Sequence, residues 1–142
     1  MSDCIFCRIV RKESESSTIY EDEKVLALMD IKPFKSGHVL VIPKGHFENI
    51  YDIPEDVIAQ LYIIVKRIAI VIKKSIKPEG ISIIQSNEIA GSQGIFHFHT
   101  HVIPRYYGDR INQVGVIWES DRMLTKKELE PVAEKIRKNM KD

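Results

Sequence analysis

Short apolar runs, separated by glycine, proline and charged residues, occupy much of the chain. Valine, isoleucine and leucine are dense in these runs, which is typical of β-strands. Five runs have this character: residues 18–20, 25–29, 38–42, 81–85 and 95–103. The last of them alternates strongly, as a strand does when its two faces differ. The pattern therefore predicts about five strands.

A longer apolar stretch with charged ends predicts one long helix, from Pro54 to about Ile76. Proline suits a first helical turn, acidic residues lie near this end, and lysines lie at the other end. The apolar positions cover more than one stripe, so we expect the helix to bury two faces. Either it lies deep within the domain, or one face packs on the sheet and part of another lies in a dimer interface.

Residues 125–138 predict a terminal helix, because Thr125 can cap it and Glu128 stands at the capping-box position. Several strands, a long helix, two more strands and a terminal helix indicate an α+β domain. Its sheet should be mainly antiparallel, with the helices segregated from it. The chain has 142 residues, close to the usual size of one domain, so we expect a single domain over residues 1–142.

The composition of the chain excludes some classes of protein. The net charge is +1, from 21 basic and 20 acidic side chains. A protein that grips duplex nucleic acid usually has a clear basic excess, so no nucleic-acid partner is expected. Lysine and arginine interrupt the most apolar stretch, residues 57–76, which is therefore too charged to span a membrane. Residues 1–15 contain no apolar signal segment, so we expect a soluble, cytoplasmic protein.

Three histidines, His97, His99 and His101, are spaced two residues apart. On a strand all three would project from one face, and burying them is costly unless each finds partners. One hypothesis is a shared metal, although the outer pair would lie about 13 Å apart at the backbone. The other is a division of labour, with the middle histidine as nucleophile or base. The preceding loop, residues 88–94, offers N–H groups that can cradle an anion.

Only two cysteines are present, Cys4 and Cys7, in a C-x₂-C arrangement. They are too few for a small disulfide scaffold. The pair fits three interpretations: a redox pair, half of a zinc site, or two buried apolar residues. A redox motif usually follows a strand and opens a helix, whereas this pair starts the chain. A structural zinc needs four ligands, so the other two would have to be histidines.

The segment His97-Phe98-His99-Thr100-His101-Val102-Ile103 resembles the His-x-His-x-His-x-x signature of the histidine triad (HIT) family of nucleotide-binding proteins. Thr100 is more polar than the residue usual at its position. Four other segments resemble the family in the same order: residues 4–7, 20–23, 28–31 and 37–44. The similar core covers residues 4–105, and residues 106–142 form a C-terminal extension. The tail through Trp118 is similar to the microbial branch.

This resemblance implies a HIT fold, a symmetric homodimer through the long helix and an edge strand, and a nucleotidyl hydrolase or transferase. His99 would attack the α-phosphorus of a dinucleoside polyphosphate or nucleoside phosphoramidate, and water would then release a nucleoside monophosphate. His101 and His38 would act beside it. Asp30 would accept both ribose hydroxyls of a purine nucleotide, with adenosine the expected nucleoside. Imidazole is itself a nucleophile, so the chemistry needs no cofactor.

The remaining substrate-binding residues follow from the same resemblance. Asn87 and Gln93 match amides that hydrogen-bond the phosphate and the bridging oxygen. Gly94 replaces a serine or threonine whose hydroxyl contacts the phosphate or the leaving group, which puts the leaving-group preference in doubt. The base pocket falls on apolar residues that could equally be ordinary core: Ile5, Phe6, Ile9, Leu28, Met29 and Ile31.

Similar proteins of the superfamily join a C-x₂-C pair to two histidines around zinc. This likeness implies a structural zinc at Cys4, Cys7, His46 and His97. His97 would then support the strand that bears His99. Two other functions stay open: a nucleotide-binding regulatory module whose hydrolysis is incidental, and a metalloenzyme that uses the triad as its metal site.

Overall fold

A five-stranded antiparallel sheet forms the centre of the protein. The computed structural model describes residues 4–109 and 123–140. Its strands are β1 (Thr18–Glu21), β2 (Val25–Met29), β3 (Val39–Pro43), β4 (Gly80–Ile84) and β5 (Thr100–Arg105). They lie in the order β1-β2-β3-β5-β4, with every neighbouring pair antiparallel. The prediction of an antiparallel sheet of about five strands is confirmed.

In the described residues, three α-helices accompany the sheet: α1 (Ile5–Val10), α2 (Glu55–Ser75) and α3 (Lys126–Asn139). The long and the terminal helix confirm the α+β prediction. The sequence did not predict α1, whose six residues are too few for a periodic pattern. The capping box of α3 is present, with Glu128 N–H donating to Thr125 Oγ1 at 3.2 Å and Thr125 N–H donating to Glu128 Oε1 at 3.0 Å. Trp118 lies outside the described residues.

The two faces of the sheet carry different layers, because side chains alternate along each strand. On one face, Val25, Ala27 and Met29 pack with α2 and α3 in the main core. On the other face, Leu26 and Leu28 join residues of α1 and β3 in a smaller cluster. Every residue of β2 and β3 is buried. The centre of the sheet is therefore covered on both sides.

Helix α2 buries only one of its faces within the chain. Its buried residues are Leu61, Ile64, Val65, Ile68 and Ile72. On the outward side Tyr62, Ile63 and Ile70 are exposed. The alternative of a helix deep within the domain is therefore wrong, whereas a second face in a dimer interface stays a prediction. None of the helices in residues 4–109 and 123–140 is both long and apolar enough to cross a membrane.

Strand β5 starts later than the sequence predicted. It begins at Thr100, so the prediction of a strand over residues 95–103 is wrong for its first five residues. The ladder to β3 ends at Thr100, and upstream of it Phe98 N–H donates to Phe47 O at 2.6 Å. The alternation of side chains nevertheless continues. Phe98 lies in the main core, while its two flanking histidines pack against Phe6 on the other face.

Candidate active site and metal centre

All five histidines of the chain form one row. The ring centroids of His38 and His101 lie 5.1 Å apart, and those of His101 and His99 also lie 5.1 Å apart. His99 Nδ1 lies 2.8 Å from the carbonyl oxygen of His97. The ring centroids of His97 and His46 lie 5.0 Å apart. The row therefore ends at His38 on one side and at His46 on the other, and different residues contact the two ends.

Two paired strands place the first end of the row. Asp30 directly follows β2 and His38 directly precedes β3, so both lie at the same end of this antiparallel pair. By alternation they share the face of Leu28 and Leu40, away from the main core. Asp30 N–H donates to His38 O at 3.0 Å, which ties the two segments together.

His38 is fully buried, and its two ring nitrogens have different partners. Phe34 N–H donates to His38 Nδ1 at 3.0 Å, so we assign the ring proton to Nε2. That nitrogen lies 2.9 Å from His101 Nδ1 and 3.4 Å from Asp30 Oδ2. Burial and the neighbouring His101 hold the pKa of His38 well below its ordinary value. The ring is therefore neutral at neutral pH.

His101 receives the N–H of His38 on its Nδ1, which assigns its own ring proton to Nε2. Burial lowers the pKa of His101 to about 3, and the nearby His99 adds to the shift. His101 is therefore a neutral N–H donor at neutral pH. Its ring meets that of His99 edge to face, so this donor stands beside the middle histidine of the triad.

His99 carries its proton on the other nitrogen. Its Nδ1–H donates to His97 O at 2.8 Å, which leaves the lone pair on Nε2. Burial lowers the pKa of His99, although the hydrogen bond to that carbonyl acts in the opposite direction. The ring of Phe6 packs against it at a centroid distance of 5.4 Å. A neutral imidazole with a fixed unprotonated nitrogen is competent for nucleophilic attack.

Asp30 ends this side of the row as a largely buried carboxyl group. Lys32 N–H donates to its Oδ1 at 2.8 Å. Burial raises the pKa of Asp30 to about 6, while that hydrogen bond and the Lys32 charge lower it. At neutral pH the group is mostly ionised, and both oxygens act only as acceptors. A vicinal diol, which offers two donors, is a suitable partner for such a group.

At the other end of the row, two sulfurs and two imidazole nitrogens converge. One atom from each of Cys4, Cys7, His46 and His97 lies within 4.8 Å of the other three. The sulfur-to-nitrogen distances are 3.3 Å for Cys7–His46, 3.4 Å for Cys4–His97 and 3.6 Å for Cys7–His97. Tetrahedral zinc with ordinary bond lengths places sulfur and nitrogen ligands about 3.6 Å apart. The four residues therefore fit a structural zinc.

Local structure explains why these groups meet. Cys4 is the N-cap of α1, and Cys7 N–H, one turn later, donates to Cys4 Sγ at 3.4 Å. The pair thus opens a helix, contrary to what its place at the start of the chain indicated. His97 Nε2 lies 2.8 Å from Pro43 O, so we assign the proton to Nε2 and the lone pair to Nδ1, facing the sulfurs.

The three triad histidines do not converge on one point in the described part of the chain. His97 belongs with the cysteines, and His101 belongs with His38 and Asp30, whose ligand atoms also lie within 4.8 Å of one another. In that second group the two imidazole nitrogens are 2.9 Å apart. Two nitrogens on one tetrahedral zinc would lie about 3.3 Å apart. The geometry therefore favours a division of labour over one shared triad metal.

The apolar residues predicted for the base pocket fall into three environments. Three share one buried cluster on the α1 face, beside the histidine row: Phe6, Ile9 and Leu28. Met29 lies in the main core on the opposite face, so the structure does not bring it to the others. Ile5 and Ile31 are exposed by 39% and 42%. Phe6, Ile9 and Leu28 are therefore the predicted pocket residues that lie together in the structure.

The loop before His97 uses most of its polar groups internally. The side chains of Asn87 and Gln93 both hydrogen-bond backbone groups of residues 48–50. The N–H groups of residues 91–93 donate to carbonyls within the loop. The N–H groups of residues 94–96 are thus the candidates for a phosphate. An added Cβ at Gly94 would meet nothing within 4 Å, so this position borders open space.

Backbone groups complete the site, and sequence reasoning missed them. Phe34 N–H sets the tautomer of His38, the carbonyl of His97 sets that of His99, and the carbonyl of Pro43 sets that of His97. Residue type gives no signal for such roles, because every residue carries a backbone acceptor and all but proline a donor.

Comparison with known proteins identifies the family to which the chain belongs. The family model described as the HIT domain matches residues 11–108. The chain belongs to the HIT family. "Protein hit" of Bacillus subtilis is 40% identical over 119 residues, covering 83% of this chain and 80% of that protein. Adenylylsulfatase HINT3 of Arabidopsis thaliana is 34% identical over 122 residues, covering 86% of this chain and 59% of that protein.

Solved HIT structures share the fold. A zinc-bound histidine triad family protein from Mycobacterium smegmatis has a TM-score of 0.82 and 33% identity, covering 98% of this chain and 94% of its own. A hypothetical histidine triad nucleotide-binding protein from Sulfolobus tokodaii has a TM-score of 0.84 and 36% identity, covering 96% of this chain and 91% of its own. The predicted HIT fold is thereby confirmed.

Proposed function

We propose that this HIT protein cleaves a nucleoside 5′-phosphoryl bond through a nucleotidyl-histidine intermediate and releases a nucleoside monophosphate. The observation that carries the proposal is the 2.8 Å distance between His99 Nδ1 and His97 O, from which we assign the ring proton to Nδ1 and the lone pair to Nε2. The Sulfolobus relative is named a nucleotide-binding protein and the Arabidopsis relative an adenylylsulfatase. Both names support a nucleotide hydrolase.

In the first step, His99 Nε2 forms a bond to the α-phosphorus while the bond to the leaving group breaks. The leaving group takes its proton from solvent, and His101 donates a hydrogen bond to the reacting phosphoryl group. The imidazolium that forms is stabilised by its Nδ1–H bond to the carbonyl of His97. In the second step, water attacks phosphorus, releases a proton to solvent and displaces His99, which returns to its neutral Nδ1–H form. The His38 N–H keeps His101 in its donor tautomer throughout.

The nucleoside is held at the Asp30 end of the row. The ionised carboxylate accepts hydrogen bonds from both ribose hydroxyls. The buried cluster of Phe6, Ile9 and Leu28 supplies the apolar surface for a purine, with adenosine the expected nucleoside. The exposed Ile5 and Ile31 would border it. An apolar pocket discriminates weakly between bases, so the ribose contact contributes more to orientation than the base contact does.

A structural zinc at Cys4, Cys7, His46 and His97 belongs to this proposal. When bound, it supplies rigidity, and the chemistry is left to imidazole. Its effect on the reaction runs through His97, whose side chain is a ligand and whose carbonyl orients the nucleophile. The zinc-bound Mycobacterium relative supports the site.

We also propose a single domain over residues 1–142 and a homodimer. The packing of α3 against α2 in the main core supports one domain that includes the C-terminal extension. The exposed side chains Tyr62, Ile63 and Ile70 on α2, and Ile83 on the edge strand β4, provide the apolar surface for a second copy.

A turnover panel tests the function. Diadenosine polyphosphates, AMP-amide and AMP-lysine are offered to the wild type and to His99→Ala. We expect the variant to lose about 10³-fold or more of the hydrolysis rate, because the nucleophile is gone, while still binding AMP. Unchanged zinc content and circular dichroism would establish that the variant is folded.

The outcomes separate the hypotheses. Hydrolysis by His99→Ala within tenfold of wild type would overturn the nucleophile assignment. Nucleotide binding without turnover across the whole panel would favour the regulatory module instead. Trapping a phosphorus-labelled protein adduct in the wild type, and its absence in His99→Ala, would support the covalent intermediate directly.

A further inference from the structure

Two amide side chains join the loop before the triad to the segment that follows His46. The first, Gln93, is only 5% exposed. Its Nε2 donates to Glu48 O at 2.5 Å and to Ile95 O at 3.0 Å. Its Oε1 accepts from Glu88 N–H at 2.8 Å. Both amide hydrogens and the carbonyl of Gln93 are therefore engaged by backbone groups of the protein.

Asn87 makes the second link. Its Oδ1 accepts from Ile50 N–H at 2.8 Å and from Gln85 Nε2 at 2.8 Å. Its Nδ2 donates to Gln85 Oε1 at 2.9 Å. The two amides of Gln85 and Asn87 therefore form a reciprocal pair, which fixes the direction of the Asn87 carbonyl toward Ile50.

A substrate oxygen could take an N–H of Gln93 only if an existing bond broke. The hydrogen bond gained to the substrate would then be offset by the one lost from Glu48 O or Ile95 O. The surroundings of Gln93 thus favour a fixed internal role over a contact with substrate.

The segment that receives these links also holds the triad. Phe47 O accepts from Phe98 N–H at 2.6 Å, and Phe98 stands between His97 and His99. Residues 47–50 are therefore joined on one side to the triad backbone and on the other to the loop. A shift of this segment would move both.

The loop backbone needs such support. Glu88 and Ser92 have φ angles of 69° and 75°, a left-handed conformation that is unfavourable for residues other than glycine. Glu88 O accepts from the N–H groups of Gly91 and Gln93, each at 3.0 Å. Gln93 therefore holds both sides of this strained residue, with its side-chain Oε1 on Glu88 N–H and its backbone N–H on Glu88 O.

We propose that Gln93 is a positioning residue and not a ligand of the substrate, and that Asn87 supports the same loop. They lock residues 88–95 to residues 47–50, and so keep the N–H groups of residues 94–96 and the ring of His99 in register with the reacting phosphate. This role rests on the proposed hydrolase function. For Gln93 it departs from the family resemblance, which gives both amides to the phosphate and the bridging oxygen.

The test replaces Gln93 by methionine, which has a similar length and cannot make these bonds. The control is Gln60→Met, because Gln60 lies on α2 and donates to Asp22 at 2.9 Å, away from the histidine row. We expect Gln93→Met to lower kcat about 10- to 100-fold, the scale of a small misplacement of reacting groups. The loss should be the same, within about threefold, for a diadenosine polyphosphate and for AMP-amide, and the Kd of AMP should change by less than about threefold.

A double-mutant cycle adds a second readout. Asn87→Ala should lower kcat in the same way, and combining it with Gln93→Met should cost less than the product of the two single losses. This non-additivity is expected because both side chains hold the same loop. Strict multiplication of the two losses would overturn the shared role.

The result that overturns the proposal is a selective one. If Gln93 bound the bridging oxygen, Gln93→Met would lose at least about tenfold more on the polyphosphate than on the amide, or would raise the Kd of AMP with little change in kcat. Hydrogen exchange separates this outcome from failure of the proposed function. Even if the wild type cleaves neither substrate, Gln93→Met should speed the exchange of Glu88 N–H, and unchanged exchange would overturn the positioning role.

Discussion

His97 and His99 are two residues apart, share a face and touch the same phenylalanine, yet the structure gives them opposite ring chemistry. His97 directs Nε2 to the carbonyl of Pro43 and turns Nδ1 toward two sulfurs. His99 directs Nδ1 to the carbonyl of His97, which leaves Nε2 unprotonated. One histidine is thereby suited to a metal and the other to phosphorus.

The difference shows that the role of a histidine depends on which backbone carbonyl takes its proton. It also links the two ends of the row. The same residue, His97, offers its ring to the cluster of thiols and its carbonyl to the nucleophile. Disturbing one end should therefore affect the other by a limited amount, and the size of that effect can be measured.

The largest change in the contrast between His97 and His99 should come from Cys7→Ser, which removes one of the proposed zinc ligands. We expect zinc to fall from about one per chain to below about 0.2, because three ligands bind far more weakly than four. With the support of His97 weakened, kcat should fall about 10- to 100-fold. Elemental analysis of protein prepared without chelator, together with turnover of AMP-amide, measures both effects.

The matched control is Asp30→Asn at the opposite end of the row. It should weaken nucleotide binding and leave the zinc content unchanged. Full zinc content in Cys7→Ser would contradict the assigned ligand set. Loss of zinc with unaltered kcat would mean that the two ends of the row are independent.

A medium effect should appear in the pH dependence of binding at the Asp30 end. Burial raises the pKa of Asp30 to about 6, so the carboxyl is ionised above that pH and protonated below it. Affinity for adenosine 5′-methylphosphate, whose charge is constant in this range, should fall about tenfold as the pH drops through 6, because charge-assisted bonds to ribose are lost. Calorimetric titration between pH 5 and about 8 tests this, and Asp30→Asn should give a flat profile.

The free energy of unfolding of the free protein should depend on the same carboxyl group, but it should fall with rising pH where the affinity rises. Between the unfolded value of 3.8 and about 6, the folded state holds a proton on Asp30 that the unfolded chain has lost. The stabilisation is complete at low pH and disappears as the pH rises through about 6, which amounts to roughly 3 kcal/mol. Urea denaturation of wild type should lose this contribution relative to Asp30→Asn. Parallel pH profiles for the two proteins would exclude a raised pKa.

Much of the fold could be predicted from the sequence, and the predictions that were wrong have physical causes. Apolar runs predicted all five strands, and Thr125 with Glu128 predicted the start of α3. The predicted start of β5 was wrong because Phe98 N–H donates to Phe47 O, and no periodicity in the sequence reveals this contact. The histidine spacing indicated a site, but the tautomers depend on backbone carbonyls brought there by the tertiary structure.

The smallest effect is expected on the far face of the sheet, at Thr100, between His99 and His101. Its hydroxyl is buried and donates to Tyr62 Oη at 3.3 Å. Thr100→Val keeps the volume and removes the donor, while the Tyr62 hydroxyl keeps its own proton and can donate to another acceptor. We therefore expect the free energy of unfolding to change by less than about 1 kcal/mol. Turnover should stay within about twofold of wild type, because the residue faces away from the row.

Tyr62→Phe removes the same hydrogen bond from its other side and should cost more. It leaves the Thr100 hydroxyl buried without a partner, which is unfavourable by about 1–3 kcal/mol. Urea denaturation of the two variants measures this asymmetry, and turnover of AMP-amide measures the separation of the two faces. A tenfold loss of kcat in Thr100→Val would mean that the α2 side tunes the catalytic histidines. The contrast between His97 and His99 would then depend on both layers of the protein.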